Sequence, residues 1–205
     1  MEAAHRLSTD TDDGLLVIIS GPSGVGKTTI TRGVERAIPG SVFSVSCTTR
    51  PKTAADVEGV DYRFIDDATF ESMKAAGEFL ETAGVYGKKY GTPKAWVFEQ
   101  LRRGRVVILE IDVQGAVQVK RHIPQAFAIF ILPPNEDALL TRLRARQRED
   151  EASIQRRFLA ARGEIALAKS SGVYNAMVTN EDAQPQHAID QAVELVRARV
   201  NARSR

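Results

Sequence analysis

Apolar positions along the chain follow two patterns that alternate. Leu15 to Ser20, Val106 to Ile111 and Ala126 to Leu132 are short, nearly unbroken apolar runs rich in β-branched residues. That is the pattern of strands buried on both faces of a parallel sheet. Val42 to Ser46 predicts a second strand and Ala176 to Thr179 a last one. Between the runs, apolar residues recur at helical spacing. One helix is expected from the glycine-rich turn after Ser20 through about Ala37. Another, over about Gln114 to Arg121, makes a crossover between two parallel strands. Ile154, Phe158, Ala161 and Ile165 share one helical face, and so do Ile189, Val193, Val196 and Val200. Thr92 followed by Pro93 predicts a helix start with Thr92 as its cap. The fold class that follows is α/β, a parallel-sheet core (15–45, 93–136 and 159–205) with helices on both faces.

Two stretches stand apart from that alternation. Residues 46–92 have short apolar segments broken by Gly59, Gly77, Gly84, Gly87 and Gly91, which predicts a small mixed α/β insertion. Residues 1–14 are polar, carry Asp10, Asp12 and Asp13, and are expected to form a flexible tail.

Composition narrows the function class. The 205 residues, 43% hydrophobic and 26% charged, exclude a mainly disordered, collagen-like or coiled-coil chain. A single cysteine, Cys47, excludes an internal disulfide and a multi-cysteine zinc site. His5, His122 and His187 lie far apart and form no ligand pattern. No apolar run is long enough to cross a bilayer and the N-terminus has no apolar signal core, so a cytoplasmic protein is expected. The net charge of +2 gives no argument for nucleic acid, and neither a nucleic-acid nor a membrane partner is expected. The charge is uneven only locally: 142–157 holds six arginines against Glu149, Asp150 and Glu151. On charge alone that is a solvated helical face.

The strongest chemical signal is Gly21-Pro22-Ser23-Gly24-Val25-Gly26-Lys27-Thr28. It fits the phosphate-loop pattern G-x-x-x-x-G-K-[ST] at every fixed position, between a predicted strand and a predicted helix. Glycines let the backbone curl until successive N–H groups point at phosphate oxygens, and the following helix adds its positive end. Lys27 supplies a mobile cation for the β- and γ-phosphates. The Thr28 hydroxyl is a hard oxygen ligand suited to Mg²⁺. A nucleoside triphosphate with Mg²⁺ follows, and the motif leaves open what receives the phosphate. A second anion site is foreshadowed by Ser46-Cys47-Thr48-Thr49-Arg50-Pro51, with three hydroxyls and a guanidinium fork at the end of the second strand. Tyr62, Tyr90 and Thr92 add hydroxyl donors.

Taken together, these segments resemble the guanylate kinase family, whose members phosphorylate GMP with ATP in purine nucleotide metabolism. The resemblance runs from Leu15 to about Asp182. Besides the phosphate loop and 46–51, it is carried by Gly59-x-x-Tyr62-x-Phe64, Glu78 to Glu81, Tyr86 to Thr92, Ile111 to Gly115 and Phe130 to Pro134. It implies that 46–92 binds GMP, with Ser46, Arg50, Tyr62 and Tyr90 on its phosphate and Glu81, Thr92 and Asp112 reading guanine. Guanine offers N1–H and a 2-amino group to a carboxylate. Adenine lacks both and would leave a buried carboxylate unpaired. The resemblance also makes 137–158 a helical lid whose Arg142, Arg146 and Arg157 act on the transferred phosphoryl with Lys27 and Arg50. Asn180 matches the family's adenine-side asparagine, and Glu110 a carboxylate near the Mg²⁺ water shell. A kinase for another monophosphate or a sugar phosphate, and a non-catalytic binding module of the same fold, stay open at this point. So does the choice between monomer and homo-oligomer.

The chain departs from the family where the pattern usually continues T-T-R-x-P-R-x-G-E. It reads Arg50-Pro51-Lys52-Thr53-Ala54-Ala55-Asp56, so Thr53 stands in place of a second phosphate-binding arginine and Asp56 in place of a glutamate. Glu110 likewise stands where aspartate is common. Lys52 can add charge, but as a point cation without the fork. Restoring the fork with Thr53→Arg should tighten GMP binding by about 1–3 kcal/mol, the worth of a charge-assisted bond. An unchanged Michaelis constant for GMP in that variant would count against the missing clamp.

Overall fold

The computed structural model of the chain describes residues 14–85, 87–145, 150–181 and 184–203. Strand β1 (Leu15–Ser20) leads through the glycine-rich loop into α1 (Lys27–Ala37). Two short strands follow, β2 (Val42–Phe43) and β3 (Cys47–Thr48), then β4 (Arg63–Phe64), α2 (Asp67–Ala75), β5 (Phe79–Val85) and β6 (Lys88–Pro93). The chain continues with α3 (Lys94–Arg102), β7 (Val106–Glu110), α4 (Val113–His122) and β8 (Phe127–Leu132). It closes with α5 (Glu136–Arg144), α6 (Glu151–Ser171), β9 (Ala176–Thr179) and α7 (Pro185–Arg203).

The main sheet has the order β2-β7-β1-β8-β9, with every neighbouring pair parallel. All six residues of the central β1 are buried, as a run without polar alternation requires. The period of two divides them between two cores. Leu15, Val17 and Ile19 pack with Ile30 and Val34 of α1 and Ile189, Val193 and Val196 of α7. Leu16 and Ile18 pack with Val97 and Leu101 of α3 and Ala116 and Val119 of α4. Helices thus cover both faces.

A second, four-stranded sheet takes the order β4-β3-β6-β5, with β3 and β4 parallel and the other pairs antiparallel. Helix α2, capped by the Asp66 carboxylate on the Thr69 amide at 2.7 Å, closes it by stacking Phe70 on Phe79 at 4.7 Å. Helices α5 and α6 form a cluster of their own through Leu139, Leu143, Ile154 and Ala161. Asn135 and Asp150 cap them, on the amides of Ala138 and Ser153. Helix α6 continues well past residue 158, and its Ala168 is buried with Phe130 of the main sheet.

Two expectations need correction. The second strand ends at Phe43 rather than Ser46. The Ser44 amide still donates to the Ile108 carbonyl at 3.0 Å, after which the chain crosses to the second sheet. Thr92 does not cap a helix. It lies in β6, α3 begins at Lys94 with Pro93 before it, and no side chain caps that end. The Thr92 hydroxyl serves a buried carboxylate instead, donating to Glu81 Oε1 at 2.6 Å. Residues 1–13 of the expected tail lie outside the described residues.

Gly33 sets the approach of α1 to α7. A β-carbon there would stand 2.7–2.8 Å from three side-chain carbons of Ile189, which is 7% exposed. Gly33→Val should therefore destabilise the fold by about 1–3 kcal/mol despite its better helix propensity. A thermal denaturation midpoint at or above that of the parent would refute this close approach.

Candidate functional site

The carboxyl ends of β1 and β7 face the second sheet across a cavity of about 370 Å³. On one wall stands the glycine-rich loop. Gly24 and Gly26 take positive φ of 88° and 95°, a conformation that L side chains rarely adopt. This turns the chain from a buried strand into α1 within six residues. No acidic residue occupies the first turn of α1 and no side chain caps it, so its positive end faces the cavity uncompensated. Lys27 Nζ lies back on the loop, donating to the carbonyls of Gly21 at 2.7 Å and Pro22 at 3.1 Å.

The loop is braced from outside the cavity. Asn180, 6% exposed, donates from Nδ2 to the Val25 carbonyl at 2.7 Å. Its Oδ1 is buried without a partner among the described residues. Arg142 of α5 donates to the Val25 carbonyl at 3.3 Å and to the Asn180 carbonyl at 2.7 Å. Arg157 of α6 donates to Ser23 Oγ. Arg142, Arg157 and Asn180 therefore converge on the phosphate loop, while Arg146 lies outside the described residues.

Where β7 ends, Thr28 Oγ1 donates to Glu110 Oε1 at 2.8 Å. A hydroxyl beside an ionisable carboxylate is a hard-oxygen pair of the kind Mg²⁺ takes, so these residues fit that ion. No cluster of three or more potential ligand side chains occurs among the described residues.

The opposite wall belongs to the second sheet. Ser46, Tyr62, Glu81 and Tyr90 line it. Tyr62 and Tyr90 meet edge to face at 5.7 Å, and burial pushes the Tyr62 phenol up to about 12, so it stays a neutral donor. Arg50 does not line the cavity. It lies against Tyr62 and Phe64, its guanidinium 5.3 Å from each ring, and forms a two-bond pair with Asp56. Thr92 is buried behind the wall, with its hydroxyl on Glu81.

Glu81 is the most unusual group. It is 5% exposed, and burial pushes its carboxyl up to about 7, against the lowering effect of the Thr92 hydrogen bond and with a smaller raising effect from Asp112. Asp112 caps α4, its Oδ1 accepting the Gly115 amide at 2.7 Å. The two carboxylates crowd around the same α-carbon: a side chain at Gly115 would stand 2.8 Å from Glu81 Oε2 and 3.4 Å from Asp112 Oδ1. This pair of acceptors, partly desolvated, suits a ligand that brings its own N–H donors.

Sequence reasoning missed three participants. Gly115 was quoted only as part of a motif, although its missing side chain makes room for Glu81. Asp56 appeared only as a departure from a pattern. Glu164 of α6 lines the cavity together with Ser23, and burial pushes its carboxyl up. Its helical spacing of seven from Arg157, two turns along one face, was the available signal.

Comparisons with known proteins point to one family. A sequence model of the family described as guanylate kinase matches residues 14–198. The chain is 46% identical over 179 residues to a guanylate kinase of Coxiella burnetii, covering 87% of this chain and 82% of the relative. It is 50% identical over 166 residues to one of Gloeobacter violaceus, covering 81% and 78%. The crystal structure of guanylate kinase from Anaplasma phagocytophilum superposes with a TM-score of 0.73 at 28% identity, covering 90% of this chain and 85% of that one.

The state of Glu81 makes stability depend on pH. Its folded value, about 7, exceeds the ordinary 4.5, so the folded state holds the proton more tightly. The stabilisation is complete below the ordinary value and is lost as pH rises through about 7. Relative to Glu81→Gln, the ligand-free protein should lose on the order of 2–3 kcal/mol across that window. Denaturation curves of the two proteins that stay parallel with pH would overturn the assignment.

Proposed function

The chain belongs to the guanylate kinase family and transfers the γ-phosphoryl group of ATP to GMP, giving ADP and GDP, and we propose the following division of labour among its residues. The single observation that carries it is the buried Glu81 carboxylate, held by Thr92 at one end of a cavity whose other end is the phosphate loop.

ATP lies with its phosphates in the loop Gly21 to Thr28, where the α1 amides and Lys27 meet their charge. Its adenine lies on the Asn180 side. Thr28, and Glu110 through the water shell, would hold Mg²⁺. When bound, that ion neutralises charge on the β- and γ-phosphates. GMP binds the insertion 46–92, with Ser46, Arg50, Tyr62 and Tyr90 on its phosphate and Glu81, Thr92 and Asp112 around guanine. Guanine N1–H and the 2-amino group give the ionised Glu81 the partners it lacks in the empty site. dGMP differs only at the ribose and is a candidate second acceptor.

The chemistry is in-line attack by a GMP phosphate oxygen on the γ-phosphorus, with ADP as leaving group. That oxygen is already ionised, so no general base is needed. Positioning and charge stabilisation do the work. Arg142, Arg146 and Arg157, on the lid formed by 137–158, meet the charge that spreads over the phosphoryl oxygens in the transition state. Arg142 donates to the Val25 carbonyl and Arg157 to Ser23 Oγ, both in the phosphate loop. On this reading both guanidinium groups lie beside the donor phosphates. The protein acts in the cytoplasm on this reading, in keeping with the absence of any membrane-crossing helix among the described residues.

An ADP-release assay with GMP, AMP, CMP, UMP and no acceptor tests the assignment. GMP should be preferred over AMP by at least about 10³-fold in kcat/KM, as expected where a site's buried acceptors would otherwise go unpaired. Glu81→Gln should remove most of that preference. Equal use of AMP by the parent protein would sink this reading of the purine site.

A further inference from the structure

Between Arg50 and Asp56 the chain folds back on itself. The Asp56 amide donates to the Thr53 carbonyl at 3.1 Å. The Thr53 amide and hydroxyl in turn donate to Asp56 Oδ2 at 2.7 and 2.6 Å. Arg50 adds Nη1 to Oδ2 at 3.0 Å and Nη2 to Oδ1 at 2.8 Å. Asp56 therefore accepts four bonds, three at Oδ2 and one at Oδ1.

The bonding of Arg50 is equally specific. Of its five N–H groups, Nη1 uses both, on Asp56 and on the Pro51 carbonyl at 3.1 Å. Nη2 uses the one that faces Nη1. The remaining Nη2–H and the Nε–H lie side by side along the opposite edge, which is the fork geometry that receives a phosphate in two bonds. The flat guanidinium rests against Tyr62 and Phe64, so it cannot roll freely about its long axis. Tyr62 and Tyr90 line the cavity beside it.

We propose that Asp56, with Thr53 locking it, is a positioning residue that holds Arg50 by its end and presents the free side edge of the guanidinium to the GMP phosphate. The proposal rests on Arg50 being a GMP-phosphate contact. An arginine on an open loop loses much rotamer freedom when it docks an anion. One already held by a carboxylate loses little more. This matters most where only one fork serves the phosphate, as Thr53 makes the case in this chain. Thr53 thus has a role of its own, as the second donor pair that keeps the Asp56 carboxylate in place. The opposing effect is repulsion between the Asp56 charge and the phosphate. Four donors already neutralise that charge, and it lies at the far end of the guanidinium, so positioning outweighs repulsion.

Steady-state kinetics on the full chain decide between them. Asp56→Asn, isosteric but a poorer partner, should raise the KM for GMP about tenfold while kcat and the KM for ATP stay within about twofold. Thr53→Val, which keeps the shape and deletes one donor, should raise the same constant about threefold. Arg50→Ala should raise it further, and Asp56→Asn added to Arg50→Ala should have no additional effect, because positioning acts only through the arginine. The unchanged ATP constant certifies the fold in each variant, and Thr53→Val carries the test if Asp56→Asn does not fold. A GMP KM that is unchanged or lowered in Asp56→Asn, or an additive double variant, overturns the proposal and makes Asp56 a competitor of the phosphate or a merely structural group. An unchanged GMP KM in Arg50→Ala is a separate outcome, since it removes the phosphate contact itself.

Discussion

The constraint on which the rest depends is the passage from a fully buried parallel strand to a helix with its amides left open. Between Ser20 and Lys27 the backbone must reverse without burying unpaired polar groups and without placing a side chain where an anion will lie. Gly24 and Gly26 meet the conformational demand with positive φ. The carbonyls that the turn exposes are then taken partly from within it, Gly21 and Pro22 by Lys27, and partly by distant parts of the chain, Val25 by Asn180 and Arg142. The end of β9 and helix α5 are thereby tied to the loop, and Arg157 of α6 joins them through Ser23. The donor site is a place where three remote elements converge because one turn cannot satisfy itself.

The acceptor wall solves the opposite problem. On the proposed assignment the loop gathers donors for anionic phosphates, whereas Glu81 of the second sheet and Asp112 at the start of α4 offer acceptors to a neutral base. Burying a carboxylate such as Glu81 is unfavourable, and the protein offsets this only in part, with a single hydroxyl from Thr92. On the proposed assignment, the remaining deficit is the source of selectivity. A base with two N–H groups removes it, and a base without them leaves it standing. The same deficit raises the carboxyl's hold on a proton, so on the proposed assignment recognition and protonation of Glu81 are two readings of one desolvation energy.

Much of this was legible in the chain. Unbroken apolar runs at 15–20, 106–111 and 126–132 mark the central strands to within a residue, because a strand buried on both faces leaves no other pattern. The phosphate loop announces itself because its glycines and its Lys-Thr pair have fixed roles. What stayed hidden was everything set by long-range partners. Thr92 before a proline has the local chemistry of a helix cap, and only the proximity of Glu81, eleven residues away, redirects its hydroxyl. Val42 to Ser46 has strand composition throughout, but the chain must leave the main sheet after Phe43 to begin the second one. Asp56 reads as a conservative change from glutamate until its four donors are seen together.

The placement of charge in the empty site completes the picture. A net charge of +2 conceals a cavity whose lining carries Lys27 against four carboxylates, Glu81, Glu110, Asp112 and Glu164. On the proposed assignment those carboxylates would repel an incoming triphosphate. Yet Lys27, Arg142 and Arg157 each hold neutral oxygens of the phosphate loop, and Arg50 holds Asp56. Those acceptors satisfy the donors' geometry, and on the proposed assignment they keep the ammonium and guanidinium groups beside the donor phosphates. Arg50 is paired with the Asp56 carboxylate, on the side proposed for the acceptor nucleotide. The donor side would thus gather several cations through main-chain and hydroxyl oxygens, and the acceptor side would orient one cation through a carboxylate. That asymmetry suits a reaction in which the phosphoryl group must leave a tightly held partner and reach an oxygen whose direction of approach decides whether transfer occurs.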